Sequence, residues 1–175
     1  GRLITSDEHG RLYRVTIHSD SSKTTAVQLD VPVGQVQGLL YAYDSLYVVV
    51  NNLNKTAGQD IAQVNGLYRL QDTDGDDQFE RVTLLQRLDS TGTENAHGEH
   101  GPHAVALGPD GLLYFVTGNG IKVPEQIDPS SPYRNWADDL LIPSENIYVP
   151  GGWIARTDPT GMKLELLCGG LRNPY

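Results

Sequence analysis

Cysteine is nearly absent: Cys168 stands alone among 175 residues. One thiol makes no disulfide framework, no cysteine-based zinc cluster and no C-x-x-C-H haem attachment. A solitary cysteine reads as a small core residue rather than a nucleophile. Runs of Lys or Arg are missing as well. The chain carries 13 basic against 22 acidic residues, a net charge of -9, which argues against nucleic acid and anionic membrane surfaces as partners. No apolar stretch approaches the ~18 residues of a membrane-spanning helix, and no signal-peptide pattern opens the chain. The chain starts directly on strand-like Arg2 to Thr5, as expected of a segment of a longer protein. Helical periodicity is also scarce, with one short candidate.

What is present is turn chemistry and short strands. Gly 19 and Pro 10 imply many turns, and a hydrophobic content of 38% still allows a core. The strands repeat. Gly1 to Ser6, Ser45 to Val50 and Gly111 to Val116 are versions of one Leu-rich strand. Each is followed by a second type: Gly10-Arg11-Leu12-Tyr13-Arg14-Val15, Gly66-Leu67-Tyr68-Arg69-Leu70 and Gly152-Trp153-Ile154-Ala155-Arg156-Thr157. A third type covers Thr25 to Leu29, Glu80 to Leu88 and Lys163 to Leu167, and a fourth covers Val36 to Tyr41 and Ala104 to Leu107. Arg14 and Arg69 match within the second type and read as repeat structure. Leu3 and Leu46 are 43 residues apart, Leu46 and Leu112 are 66 apart, and the longer interval contains an insertion. Four short strands per unit at roughly 45-residue spacing is a propeller pattern. The expected fold is all-β, with blades of four antiparallel strands. The domain is 1–175, a single partial β-propeller of about three blades, with insertions at 89–103 and 120–151. In the second insertion, Ser130 or Ser131 is a candidate cap for a short helix over Tyr133 to Leu141.

Three stretches have residues suited to chemistry. Gly98-Glu99-His100-Gly101-Pro102-His103 lies just before a strand and the turn Gly108-Pro109-Asp110-Gly111. His97, His100 and His103 are three apart, but Gly98, Gly101 and Pro102 oppose the helix that would align them as metal ligands. The adjacent carboxylate makes Glu99 and His100 an acid–base candidate pair. Asp72-Thr73-Asp74-Gly75-Asp76-Asp77-Gln78-Phe79-Glu80 alternates carboxylates as calcium loops do, although Asp77 and Thr83 depart from the EF-hand pattern. It reads either as a Ca²⁺ site at Asp72, Asp74 and Asp76 or as an acidic hairpin turn. Arg172-Asn173 is the third stretch; a guanidinium suits a planar carboxylate or quinone edge, or a hydrogen-bonded blade corner.

These stretches together resemble a known family. Gln37-Gly38-Leu39-Leu40, Glu99-His100 through Gly118-Asn119, Tyr133 through Leu141, and Gly151 through Pro159 with Gly170-Leu171-Arg172-Asn173-Pro174 are similar to the six-bladed propellers of soluble quinoprotein sugar dehydrogenases. The similarity is greater still to the membrane-bound dehydrogenase propellers of Planctomycetes and Verrucomicrobia. The resemblance implies oxidation of a sugar or alcohol by hydride transfer to pyrroloquinoline quinone (PQQ), with Ca²⁺ as a second cofactor. It implies His100 as base beside Glu99, Gln37 in the active site, and Arg172 and Asn173 on the cofactor. It further implies an exported, periplasmic or cell-envelope location and a cytochrome c domain outside this chain as electron acceptor. A non-catalytic propeller that scaffolds partners or binds a glycan is the alternative, and a metal-dependent hydrolase using His97, His100 or His103 is a third reading.

Overall fold

The computed structural model describes residues 2–7, 9–52, 64–91, 98–133, 141–144 and 147–175. The first sheet contains β1 (Arg2–Ser6), β2 (Leu12–Thr16) and β3 (Thr25–Gln28), in that order. The second contains β4 (Val36–Ala42), β5 (Ser45–Val50), β6 (Gly66–Gln71) and β7 (Arg81–Arg87), also in order. The third begins with β8 (Pro102–Leu107) and β9 (Leu113–Thr117). After a separate hairpin, β10 (Leu141–Ser144) and β11 (Ile147–Pro150), it is completed by β12 (Gly152–Thr157) and β13 (Leu164–Leu171), in the order β13-β12-β9-β8. All strand pairs are antiparallel. The described residues contain no α-helix, only 3₁₀ turns at Ser21–Lys23 and Gly98–His100. The molecule is all-β, its sheets consecutive blades of a partial propeller.

The core follows from the two-residue period of a strand. Every residue of β5 is buried. Leu46, Val48 and Val50 pack with Leu12, Leu29, Tyr68, Leu70 and Phe79, between the first and second sheets. Tyr47 and Val49 point the other way, onto Phe115, Trp153, Ala155 and Leu166 of the third. A strand apolar on both faces is what a sheet held between two others requires. Trp153 meets Phe115 edge-on, with centroids 5.8 Å apart, and its Nε1–H donates to the Ile121 carbonyl. Each such buried aliphatic side chain contributes on the order of 1.5–3 kcal/mol.

The turns follow the residues that make them. Tyr43 and Asp44 both have positive φ (51° and 47°) between β4 and β5, the mirror-image turn that suits strand twist. Gly111, at φ 78°, closes the β8–β9 turn through its N–H to the Gly108 carbonyl. The Tyr43 hydroxyl donates to the Gly111 carbonyl at 2.7 Å and joins these turns across two sheets.

Antiparallel register gives the sheets two distinct ends. Val36 pairs with Val50, Pro102 with Thr117, and Gly152 with Leu171. The starts of β4 and β8 and the finishes of β5, β9 and β13 are therefore at one end. The β4–β5 turn and the 72–80 connection lie at the other. β4 and β8 run side by side, close enough that a Cβ on Gly38 would lie 2.4 Å from the His103 carbonyl oxygen.

The second insertion is described in part. Residues 134–140 of the candidate helix lie outside the described residues, but Tyr133 is not helical and Leu141 opens a strand. Ser131 caps no helix: its hydroxyl donates to the Leu166 carbonyl (2.7 Å) and accepts from the Leu166 N–H (2.8 Å). Ser130 bonds Asp128 and Glu165. Both serines tie the insertion to β13.

Candidate functional site

His100 ends the 3₁₀ turn that leads into β8. Gly98 starts this turn at φ 67°, and the Gly101 N–H closes it on the Gly98 carbonyl. The His100 Nδ1 lies 2.5 Å from Asn119 Oδ1. An amide oxygen only accepts, so Nδ1 carries the hydrogen and donates; in the neutral ring Nε2 keeps its lone pair. Asn119 follows β9, and its backbone N–H donates to the Arg172 carbonyl at 2.9 Å. One residue therefore bonds both the His100 ring and the backbone of Arg172.

Glycines hold this junction tight. The Gly118 N–H bonds the Gly101 carbonyl, and the Gly120 N–H bonds the His100 carbonyl. A Cβ on Gly118 would sit 2.6–2.7 Å from the His100 backbone. No side chain fits there without moving the histidine.

The other expected residues converge on the same end by different routes. Glu99 is in the same turn. Arg172 and Asn173 come directly after β13. Gln37 is exposed at the bulge of β4 between Val36 and Gly38, beside β8. A bulge re-aims a side chain out of the ladder. Arg172 and Asn173 provide cationic and amide donors, and Gln37 an exposed amide. That donor set fits a planar group with carbonyl and carboxylate oxygens.

Two of the three histidines are described. His97 lies outside the described residues. His103 belongs to β8 and is buried, its ring 4.4 Å from that of Tyr175. Among the described residues, the group of His, Cys, Asp or Glu close enough to share an ion is Asp72, Asp74, Asp76 and Glu80, whose ligand atoms lie within 4.8 Å of one another. Gly75 and Asp77 turn this loop at φ 82° and 73°. The Gly75 N–H, foremost, holds the Asp72 carboxyl below its ordinary value, and the Thr73 N–H does the same for Glu80. Four carboxylates suit a hard cation such as Ca²⁺. The loop joins β6 to β7 at the opposite end from His100, so the two candidate sites are separate.

Asn119 is the partner of the His100 ring that motif reading passed over, although the repeat held a signal. Asn52 follows β5 as Asn119 follows β9, and its Oδ1 accepts from the Gln35 N–H at 2.9 Å. In both sheets this asparagine ties down the connection that starts the inner strand. In the third sheet its acceptor takes a histidine ring instead of a backbone amide.

The fold and this junction define a partial β-propeller with a histidine-bearing face. Among solved structures, the chain is similar to an oxidoreductase assigned as a glucose dehydrogenase from Thermus thermophilus, with 23% identity over 92% of this chain and 42% of that one, at a TM-score of 0.51. The chain spans less than half the length of that protein. No family model matches the chain, and no curated protein matches it. Among the described residues no helix is long and apolar enough to cross a membrane.

Proposed function

We propose that this chain carries part of the active face of a quinoprotein-like dehydrogenase that oxidises a sugar or alcohol, with PQQ as cofactor. The observation that carries this reading is the His100–Asn119 pair, whose backbone also bonds Arg172. The fold shared with an oxidoreductase agrees with it.

When bound, PQQ supplies the hydride acceptor. Arg172 and Asn173 would hold its oxygens. His100 Nε2 accepts the hydroxyl proton as the carbon-bound hydrogen leaves with its electron pair, so one proton and one hydride depart together. Asn119 keeps Nδ1 protonated and the ring fixed, which leaves Nε2 as the base. Gln37 bonds substrate from the neighbouring inner strand. Asp72, Asp74, Asp76 and Glu80 would hold Ca²⁺ as a structural ion, remote from this chemistry. A cytochrome c domain outside this chain, in the cell envelope, would serve as electron acceptor.

Dye reduction after addition of PQQ and Ca²⁺, with sugars and simple alcohols as substrates, tests the assignment. His100→Ala should lower kcat by about 10²–10⁴-fold, the usual contribution of a general base. No PQQ binding at micromolar concentrations would refute the assignment and leave the scaffold or glycan-binding reading; unchanged turnover in the His100→Ala variant would refute His100 as the base.

A further inference from the structure

Asn51 follows β5, in the sheet next to the one that carries His100. It is buried, with 1% of its surface exposed. Its backbone N–H bonds the Gln35 carbonyl, which fixes its own position. Its side-chain Nδ2 reaches across the sheet boundary and donates to the Gly98 carbonyl at 2.8 Å. Gly98 is the first residue of the turn that ends in His100. The same carbonyl accepts the Gly101 N–H, so both ends of the turn meet at one oxygen. Gly101 lies flat against the amide, where a Cβ would come 2.3–2.5 Å from the Asn51 Oδ1, Nδ2 and Cγ atoms.

One further fact separates this residue from an ordinary core asparagine. Among the described residues, Asn51 Oδ1 is buried without a hydrogen-bond partner. A buried acceptor left unpaired costs stability that an apolar residue would not. A polar side chain kept in such a place is held there by what its other end does. That other end grips the histidine turn.

We infer that Asn51 is a positioning residue for His100. It sets the Gly98–His100 turn from the neighbouring sheet and keeps the ring on Asn119. The catalytic consequence rests on the function proposed above; the structural claim does not. The arrangement makes the ring's orientation depend on how the second and third sheets are docked, not only on the third.

Asn51→Asp places an acceptor against the Gly98 carbonyl, and Asn51→Ser is too short to reach it. Both are compared with wild type by thermal unfolding and by the ¹⁵N signals of the His100 ring, assigned with His100→Gln. The expected result is a cooperative unfolding transition with His100 ring signals displaced from the Nδ1–H tautomer towards an averaged ring. In the dye-linked assay kcat falls about 10- to 100-fold, as for a misplaced catalytic group, while KM changes less than about threefold. Wild-type ring signals in a folded Asn51→Asp protein overturn the inference. Failure of both variants to fold overturns it too, by showing that Asn51 holds the sheets rather than the turn. If wild type shows no PQQ-dependent turnover, the proposed function fails while the ring signals still decide this point.

Discussion

Glu165 shows how much of this molecule depends on single residues meeting across elements. Its carboxylate accepts from Lys163 Nζ at 2.8 Å, Arg156 Nε at 2.7 Å and Ser130 Oγ at 2.9 Å. Lys163 first, then Arg156, pushes its pKa down from 4.5 to about 2. A carboxyl whose folded value is depressed stabilises the fold above its unfolded value, and loses that contribution as pH falls through the folded value. Glu165→Gln should therefore melt below wild type at neutral pH. The deficit should shrink below pH 4.5 and vanish near pH 2; a melting series over that range checks it, and a deficit independent of pH would assign the loss to packing alone. Arg156 holds the strand position that Arg69 has in the second sheet, where Arg69 Nε bonds Ser45 Oγ. The repeat made Arg14 and Arg69 legible as structure, whereas the match of Arg156 to Arg69 emerges from strand pairing, Arg156 opposite Tyr114 as Arg69 is opposite Tyr47. Ser130 is 35 residues from Glu165, and no local pattern connects them.

At the scale of elements, alternation and turn residues were sufficient wherever a strand was regular. Each strand of the three main sheets falls on a run that the repeat picks out, because a side chain's facing follows from backbone period alone. The hairpin β10–β11 was not legible. Pro143 and Pro150 lie within it, and prolines read as breakers. A two-stranded ribbon tolerates them because each strand is an edge: Leu141 pairs with Pro150, and Pro143 with Tyr148. The close approach of β4 to β8 is also testable. Gly38→Ala would drive a methyl into the His103 carbonyl, 2.4 Å away, and separate β4 from β8. The expected loss is about 1–3 kcal/mol, as for overpacking, read as a lower urea midpoint with an unchanged m-value. A wild-type midpoint would show that the two strands have slack.

For the whole molecule, the decisive feature is the separation of its two ends. The acidic loop and the histidine turn lie at opposite ends of the sheets, so an ion at one should not perturb the other. Ca²⁺ at about 100-fold above its dissociation constant should raise the melting temperature by about 5–10 °C. Asp74→Asn should abolish that rise and leave the His100 ring signals in place. A Ca²⁺-dependent displacement of those signals would mean that the ends communicate.

The sequence by itself determined the strands, their turns, their grouping into repeated units and the residue types gathered near His100. These depend on backbone period, on glycine and proline geometry, and on spacing along the chain. It did not determine that Asn119 bonds the His100 ring, that Asn51 reaches the same turn from the next sheet, or that the carboxylate loop faces away from both. Those depend on register between strands and on how one sheet stacks against another, distances that only the packed chain sets.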